Sequence, residues 1–342
     1  MEINISLKER SYSIITGRNI LKNISSYYDF SNHKVLIVTD SNIPKEYYFL
    51  IQSHIKVIDI LVLEPGEETK SVASFLKIQD KLLEHNFSRK DIVIALGGGV
   101  IGDLVGFASS TFKRGLTFIN IPTSTLSMID SSIGGKTAIN FNGIKNIIGT
   151  FYQPSLVVID FDLLKSLPVR HMNNGLVEAL KAGYIYDPSI LDLFSKDIDS
   201  NIEEIITKSI IAKKNYVEKD EKEENIRKIL NYGHTFGHGF ESLGGFSEKL
   251  YHGEAVALGM VIISKEKEEL ISYLDKLDIK YDFEIDSKEL INIILNDKKV
   301  DGDYIDLIKV DERGKGYISR TPINELHSIL EGGLKYVRHF RK

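Results

Sequence analysis

Three of the chain's nine histidines, His234, His238 and His252, fall within nineteen residues. They lie in Asn231-Tyr-Gly-His-Thr-Phe-Gly-His-Gly-Phe-Glu241, followed by His252-Gly-Glu-Ala-Val. Residues four apart on a helix sit one above the other, so the spacing predicts His234 and His238 on one face with Asn231 and Glu241. Imidazoles, an amide and a carboxylate on one stripe are costly to bury unless something binds them, and His with carboxylate is a donor set for a divalent metal. Spacing alone makes His234 and His238 the ligand pair. The bland alternative is a surface helix whose histidines fall together by chance. Glycines at 233, 237 and 239 weaken a helix and let another element or a ligand come close.

A second chemical stretch is Gly97-Gly-Gly-Val-Ile-Gly102-Asp103, directly after the apolar run Asp91-Ile-Val-Ile-Ala-Leu96. It fits G-x-G-x-x-G between a strand and a helix, where backbone N–H groups at Gly98, Gly99 and Gly102 approach a pyrophosphate at a helix N-terminus. The expected ribose-binding acid is missing from the next strand, Leu116–Ile121, and Asp40, at the end of an earlier strand, can take that part. Pro122 to Asn140 sets hydroxyls, glycines, Asp130 and Lys136 in apolar surroundings. Gly134-Gly-Lys-Thr137 resembles a P-loop's end, but position 130 holds Asp where the first glycine belongs, which disfavours a nucleotide triphosphatase. Lys136, with Arg114 and the Lys145-Asn146 pair, can still neutralise a phosphate monoester. Pro65 to Lys70 reads as a polar turn before a helix.

The elements that must hold these residues follow from the apolar pattern. Residues 34–39, 56–63, 91–96, 116–121 and 156–160 read as strands and 71–86 as a helix. This βαβα order predicts a largely parallel sheet covered by helices. After Leu167-Pro168 the pattern turns helical to near the end, so the expected domains are residues 1–167 and 168–342. With 342 residues, 42% of them apolar, the chain can fill two cores. A net charge of −5 without a long basic run argues against nucleic acid. The absence of cysteine leaves His, Asp and Glu as metal ligands. The strand-like start lacks a signal peptide's apolar core and no stretch is long enough to span a bilayer, so a soluble, cytoplasmic protein is expected.

In the second half, charged groups interrupt apolar helix stripes. Glu178 and Lys181 are three apart in a largely apolar segment. Lys213 lies on the face of Ile202, Ile205, Ile206, Ile210 and Val217, and Lys298 extends the face of Leu290, Ile291, Ile294 and Leu295. Such groups are expensive to bury unpaired and are functional candidates, the alternative for each lysine being a snorkelling side chain.

Taken together these motifs resemble the 3-dehydroquinate synthase family over nearly the whole chain. The matching blocks, in order, are Pro65–Ser71, Gly97–Gly106, Lys113–Gly115, Pro122–Asn140, Lys145–Gly149, Gly175–Lys181, Lys213 to Glu223, Arg227–Glu241, His252–Gly259 and Asp297–Lys298. The most specific is Asn-x-Gly-His-Thr-Phe-Gly-His with its later His-Gly-Glu-Ala-Val. The resemblance implies an α/β fold: a Rossmann-like NAD-binding domain, a mainly α-helical metal- and substrate-binding domain, and a site in the cleft between them. It implies zinc, or cobalt, on Glu178, His234 and His252, and moves His238 from ligand to proton handling or phosphate contact. NAD is implied at Asp40, Asn42, Glu67, Lys70, Gly98, Gly99, Gly102, Asp103, Thr123, Ser124, Lys136 and Lys145. Arg114 (from a second subunit of an expected homodimer), Lys136, Asn146, His238 and Lys298 are implied at the phosphate, and Lys213, Arg227 and Asn231 at the carboxylate and hydroxyls. Asp130 and Lys181 are implied near the reacting carbons, with Glu223 as a neighbouring carboxylate.

The implied reaction converts a small-molecule sugar phosphate, 3-deoxy-D-arabino-heptulosonate 7-phosphate, to 3-dehydroquinate and phosphate. It runs by transient oxidation with NAD, β-elimination, re-reduction, ring opening and intramolecular aldol. The rival readings are a sister sugar-phosphate cyclase (2-deoxy-scyllo-inosose or 2-epi-5-epi-valiolone synthase type), a metal-dependent polyol-phosphate dehydrogenase, and a non-enzymatic NAD or metal sensor. The cation set at Lys213, Arg227 and Lys298, with Asn231, favours the carboxylate-bearing substrate.

Overall fold

The apolar runs of the first half become strands of one sheet. In chain order they are β1 (Glu2–Ile5), β2 (Tyr12–Gly17), β3 (Val35–Asp40), β4 (Asp59–Leu63), β5 (Ile92–Gly97), β6 (Thr117–Pro122) and β9 (Leu156–Asp160). The spatial order is β1-β2-β9-β6-β5-β3-β4, antiparallel at β1–β2 and parallel elsewhere. Between them run helices α1 (Ile24–Tyr27), α2 (Lys45–Gln52), α3 (Val72–Glu84) and α4 (Gly99–Thr111). Every residue of β5 is buried, as its unbroken apolar run requires of a strand covered on both faces. The expected strand over 56–63 starts only at Asp59. A separate hairpin, β7 (Lys136–Phe141) and β8 (Ile144–Phe151), packs on α4. There a Cβ on Gly106 would lie 2.5 Å from a Thr137 methyl.

In this computed structural model residues 1–243, 250–281, 285–296 and 300–338 are described. The chain divides into two units, Met1–Pro168 and Val169–Lys342. Among the described residues no helix is long and apolar enough to cross a membrane.

The second unit is mainly helical: α5 (Val169–Ile185), α6 (Ser189–Phe194), α7 (Ile198–Lys219), α8 (His234–Leu243), α9 (His252–Ile263), α10 (Lys267–Lys276), α11 (Ser287–Asn296) and α12 (Leu326–Val337). At its centre α9 is buried on nearly every residue and packs on α5, α8 and α12. Its Ala-Val-Ala-Leu-Gly-Met-Val-Ile-Ile run is apolar all round, as a helix enclosed by others must be.

Two expectations change here. Residues near the C-terminus also form an antiparallel sheet, β10 (Val300–Asp301), β11 (Tyr304–Val310) and β12 (Gly316–Pro322). In β11, Tyr-Ile-Asp-Leu-Ile-Lys-Val has strand alternation, and Gly302 and Gly314 take positive φ in the turns that flank it. Asn231 does not share a helix with His234. It ends a 3-10 turn over Ile226–Asn231, and Gly233, at φ 80°, breaks the chain before α8. A Cβ at Gly233 would stand 2.5 Å from Met260 Cγ and 2.8 Å from the Val256 carbonyl, so the glycine also sets how closely α8 meets α9.

Candidate functional site

In the first unit the chain goes from β3 to β4 on one side and then returns to β5 on the other. Open parallel sheets bind ligands at such a reversal, outside the strands' carboxyl ends. Asp40 ends β3 and Gly97-Gly98-Gly99 leaves β5 for the first turn of α4, so the acid and the glycine loop flank one crevice. Gly98 caps α4 in an extended conformation with no side-chain hydrogen bond, and the helix's first amides have no partner within the helix. A Cβ at Gly102 would sit 3.1 Å from Asn120 Nδ2, which sets how closely α4 can lie on β6.

Asp40 accepts the Asn42 amide at 2.9 Å, and burial raises its carboxyl above the ordinary range. Thr123 is buried, and its amide donates to the Gly97 carbonyl at 3.0 Å, tying the ends of β5 and β6. Ser124 Oγ lies 2.9 Å from Ser127 Oγ.

A second network joins the hairpin to this crevice. Lys70 is 4% exposed; its ammonium lies 2.5 Å from Asp103 and also donates to the side-chain oxygen of Asn146. Asn146, at φ 55°, donates its amide to Asn140 Oδ1 at 2.9 Å, and Asn140 Nδ2 donates to Glu67 at 2.8 Å. Burial raises the Asp103 carboxyl, opposed by the Lys70 charge. Asn140 is an organising residue that sequence reasoning did not single out. Lys136 opens β7, Lys145 lies in β8, and Asp130 sits in a π-turn over Ser127–Ser131, a geometry common at functional sites. Arg114 is exposed, with Lys113 and Arg114 both left-handed (φ 48° and 66°) ahead of Gly115.

In the second unit Glu178, His234 and His252 each offer a ligand atom, all within 4.8 Å of one another. His234 Nε2 and His252 Nε2 stand 3.8 and 3.9 Å from Glu178 Oε1. That oxygen is buried with no hydrogen-bond donor among the described residues, while Oε2 pairs with the Lys181 ammonium. His234 Nδ1 faces the Tyr232 carbonyl at 3.2 Å; a carbonyl can only accept, so Nδ1 carries the proton and Nε2 is bare. Burial, then the Lys181 charge, hold this imidazole well below its ordinary range and therefore neutral. The bare His234 nitrogen, the His252 Nε2 and a buried carboxylate oxygen with no donor among the described residues, converging on one point, are the donor types of an open three-ligand zinc-type site. His238 joins the cluster, its ring centroid 5.4 Å from that of His234, and forms with Glu241 and His252 a second group of possible ligands.

What brings His252 to Glu178 is a stripe on α5 that sequence reasoning missed. Arg170, Asn174 and Glu178 follow at intervals of four and share one face. Asn174 Oδ1 accepts the amides of Gly253 and Glu254 at 2.6 and 3.3 Å, capping the first turn of α9. Arg170 grips Glu254 with two bonds of 2.7 and 2.8 Å and lies 4.0 Å over the Tyr251 ring. Glu254 in turn accepts the Tyr251 amide at 2.8 Å. A Cβ at Gly253 would collide with the Asn174 carbonyl oxygen, so the backbones meet there. The i,i+4 signal for this stripe was present; the target of Asn174 was not.

Near the metal candidates, Arg227 is 1% exposed and stands 3.8 Å from Glu223, whose other oxygen accepts from Asn231 at 2.8 Å. Glu223, at φ 59°, thus orients Asn231 by a hydrogen bond and lies within ion-pair range of Arg227, whose Nη1 donates to the Glu221 carbonyl. Lys213 and Lys181 are buried on their helices. Lys298 lies outside the described residues.

Comparison with known proteins identifies the family. The sequence pattern of the 3-dehydroquinate synthase N-terminal domain matches residues 60–174, and that of the C-terminal domain residues 175–300. The 3-dehydroquinate synthase of Clostridium kluyveri is 38% identical, covering 96% of this chain and 98% of its own. That of Dictyoglomus thermophilum is also 38% identical, covering 92% and 93%. Among solved structures, 2-deoxy-scyllo-inosose synthase with carbaglucose-6-phosphate, NAD+ and Co2+ superposes with a TM-score of 0.85 at 23% identity, over 97% of this chain and all of that one. The 2-epi-5-epi-valiolone synthase of Streptomyces hygroscopicus, with NAD+ and Zn2+ bound, gives 0.84 at 23%, over 96% and 98%. These two structures show a shared fold, whereas both domain patterns and relatives matched along almost their entire length show descent: the chain belongs to the 3-dehydroquinate synthase family.

Proposed function

We propose that this chain is a 3-dehydroquinate synthase, converting 3-deoxy-D-arabino-heptulosonate 7-phosphate to 3-dehydroquinate and phosphate. The observation that carries the reading is the Glu178–His234–His252 cluster, with its buried, donor-less carboxylate oxygen, in a chain of this family. Those three residues would hold the metal. Asp40, Asn42, Glu67, Lys70, the loop Gly98–Asp103, Thr123, Ser124, Lys136 and Lys145 would hold NAD. When bound, the metal supplies Lewis-acid polarisation of substrate oxygens and NAD supplies reversible hydride acceptance.

The chain's own residues do the binding and positioning. Lys213, Arg227 and Asn231 supply donors for a carboxylate and hydroxyls, with Glu223 bonded to Asn231 and within ion-pair range of Arg227. Lys181, paired to Glu178, and Asp130 are each assigned to the reacting carbons, with Glu223 as the neighbouring carboxylate. Lys136, Asn146, His238, Lys298 and Arg114 are assigned to the phosphate. The same proposal makes the protein a cytoplasmic homodimer, with the exposed Arg114 reaching the partner's phosphate. Mixing Arg114→Ala with a His234→Ala variant would restore activity in the heterodimer only if that is so.

The deciding assay follows phosphate release from the heptulosonate phosphate with NAD+, with and without a chelator, and NADH absorbance in the same cuvette. Chelator-sensitive release without NADH accumulation is expected. Release only from a sugar phosphate lacking the carboxylate would identify a sister cyclase, and steady NADH production without phosphate would identify a dehydrogenase.

A further inference from the structure

His234 and His252 present the same face to Glu178 but are backed differently. Each ring turns Nε2 toward Glu178 Oε1, at 3.8 and 3.9 Å. Behind His234, Nδ1 meets the Tyr232 carbonyl at 3.2 Å. Behind His252, Nδ1 meets Glu241 Oε2 at 3.4 Å. A neutral imidazole has one N–H and one bare nitrogen, and an ionised carboxylate can only accept. Glu241 therefore draws the proton to Nδ1 and leaves Nε2 bare on the Glu178 side. His252 needs such a partner more than His234 does. Both open their helices, but the His252 side chain is 31% exposed against 11% for His234, so fewer packed neighbours hold its ring.

We propose that Glu241 is a positioning residue for His252: by accepting the Nδ1 proton it sets the tautomer and plane of the ring and raises the affinity of the Glu178–His234–His252 group for a divalent metal. The inference rests on the metal-dependent reading above. The competing possibility is that Glu241 is itself a ligand, in the group it forms with His238 and His252. Filling both groups at once would need His252 to give one nitrogen to each of two ions, which a neutral ring cannot do without losing its last proton, and an ion in the second group alone would leave the buried Glu178 Oε1 without a hydrogen-bond partner among the described residues.

The test uses the full chain with Glu241→Ala and Glu241→Gln. Zinc affinity is read by competition with a chelating dye, metal per chain by elemental analysis, and the His252 tautomer by nitrogen NMR on metal-free protein. Expected for Glu241→Ala is a loss of about 10- to 100-fold in zinc affinity, one metal per chain at saturation, and a His252 ring no longer held as the Nδ1–H form. Glu241→Gln, whose amide oxygen still accepts, should stay close to the parent. Parent-like zinc affinity in Glu241→Ala would overturn the proposal. So would two metals per parent chain falling to one in the variant, which would make Glu241 a ligand. A parent chain that takes up no zinc would defeat the metal reading instead, and the tautomer in metal-free protein would still decide for or against Glu241.

Discussion

Replacing Asn174 by alanine should damage the metal site without touching a ligand. Asn174 is 6% exposed, and its side-chain oxygen is the acceptor for two amides that open α9, at 2.6 and 3.3 Å. Alanine leaves both buried amides without that acceptor. An orphaned buried donor costs about 1–3 kcal/mol, and loss of a helix cap about 0.5–2 kcal/mol. These describe one loss from two sides, and the second bond is long, so about 2–3 kcal/mol is expected. In a unit of this size each kcal/mol moves Tm by about 2–4 °C, which predicts a fall of about 4–12 °C without metal.

Because the same two bonds pin the residue next to His252, zinc affinity of the folded variant should fall as well. Differential scanning calorimetry on metal-free protein gives the first quantity and dye competition below the new Tm the second. Asn174→Asp, which keeps the acceptor at a helix N-terminus, should retain most of both. A stability loss below about 0.5 kcal/mol would refute the capping argument. A destabilised variant with unchanged zinc affinity would refute the claim that this cap places His252.

Three further outcomes follow from the same geometry. Burial raises the Asp40 carboxyl above its ordinary pKa, so its ionisation opposes folding. That cost is absent below the unfolded value and sets in as pH rises through the folded one, so Asp40→Asn should match or exceed the parent's thermal stability at neutral pH while weakening NAD binding, read by calorimetric titration. Gly233→Ala forces a left-handed residue and drives a methyl against Met260 and the Val256 carbonyl; a loss of about 2 kcal/mol or more is expected in thermal unfolding, with zinc affinity reduced. Zinc should raise Tm, and at about one hundred times its dissociation constant the added stability is about 2.7 kcal/mol, whereas Glu178→Ala should abolish that increment.

Much of the architecture was legible along the chain. The run Asp91–Leu96, the glycines after it and the polar Asp40 at the end of another apolar run specify strands and a turn through contacts within a few residues. Spacing of four likewise placed His234 and His238 on one helix face, and the specific motif around them pointed to Glu178 and His252 through family resemblance. The strands β10–β12 were harder to see: β11 and β12 run seven residues each, but they mix exposed polar with buried apolar residues and lack the unbroken apolar run that marks β5.

The sequence by itself determined what is local: which segments are strands and helices, which faces are apolar, and which residue types are available for metal and phosphate. Only the tertiary structure decided which of them meet. Asn231 left the histidine helix because Gly233 turns the chain at φ 80°, and it found Glu223 instead. His252 came to Glu178 because Asn174 and Arg170, one and two turns back on the same helix, hold the first turn of α9. Such pairings join residues about eighty positions apart through directional bonds to backbone amides and carboxylates. No periodicity within either segment carries that information, since each is satisfied only when the other arrives.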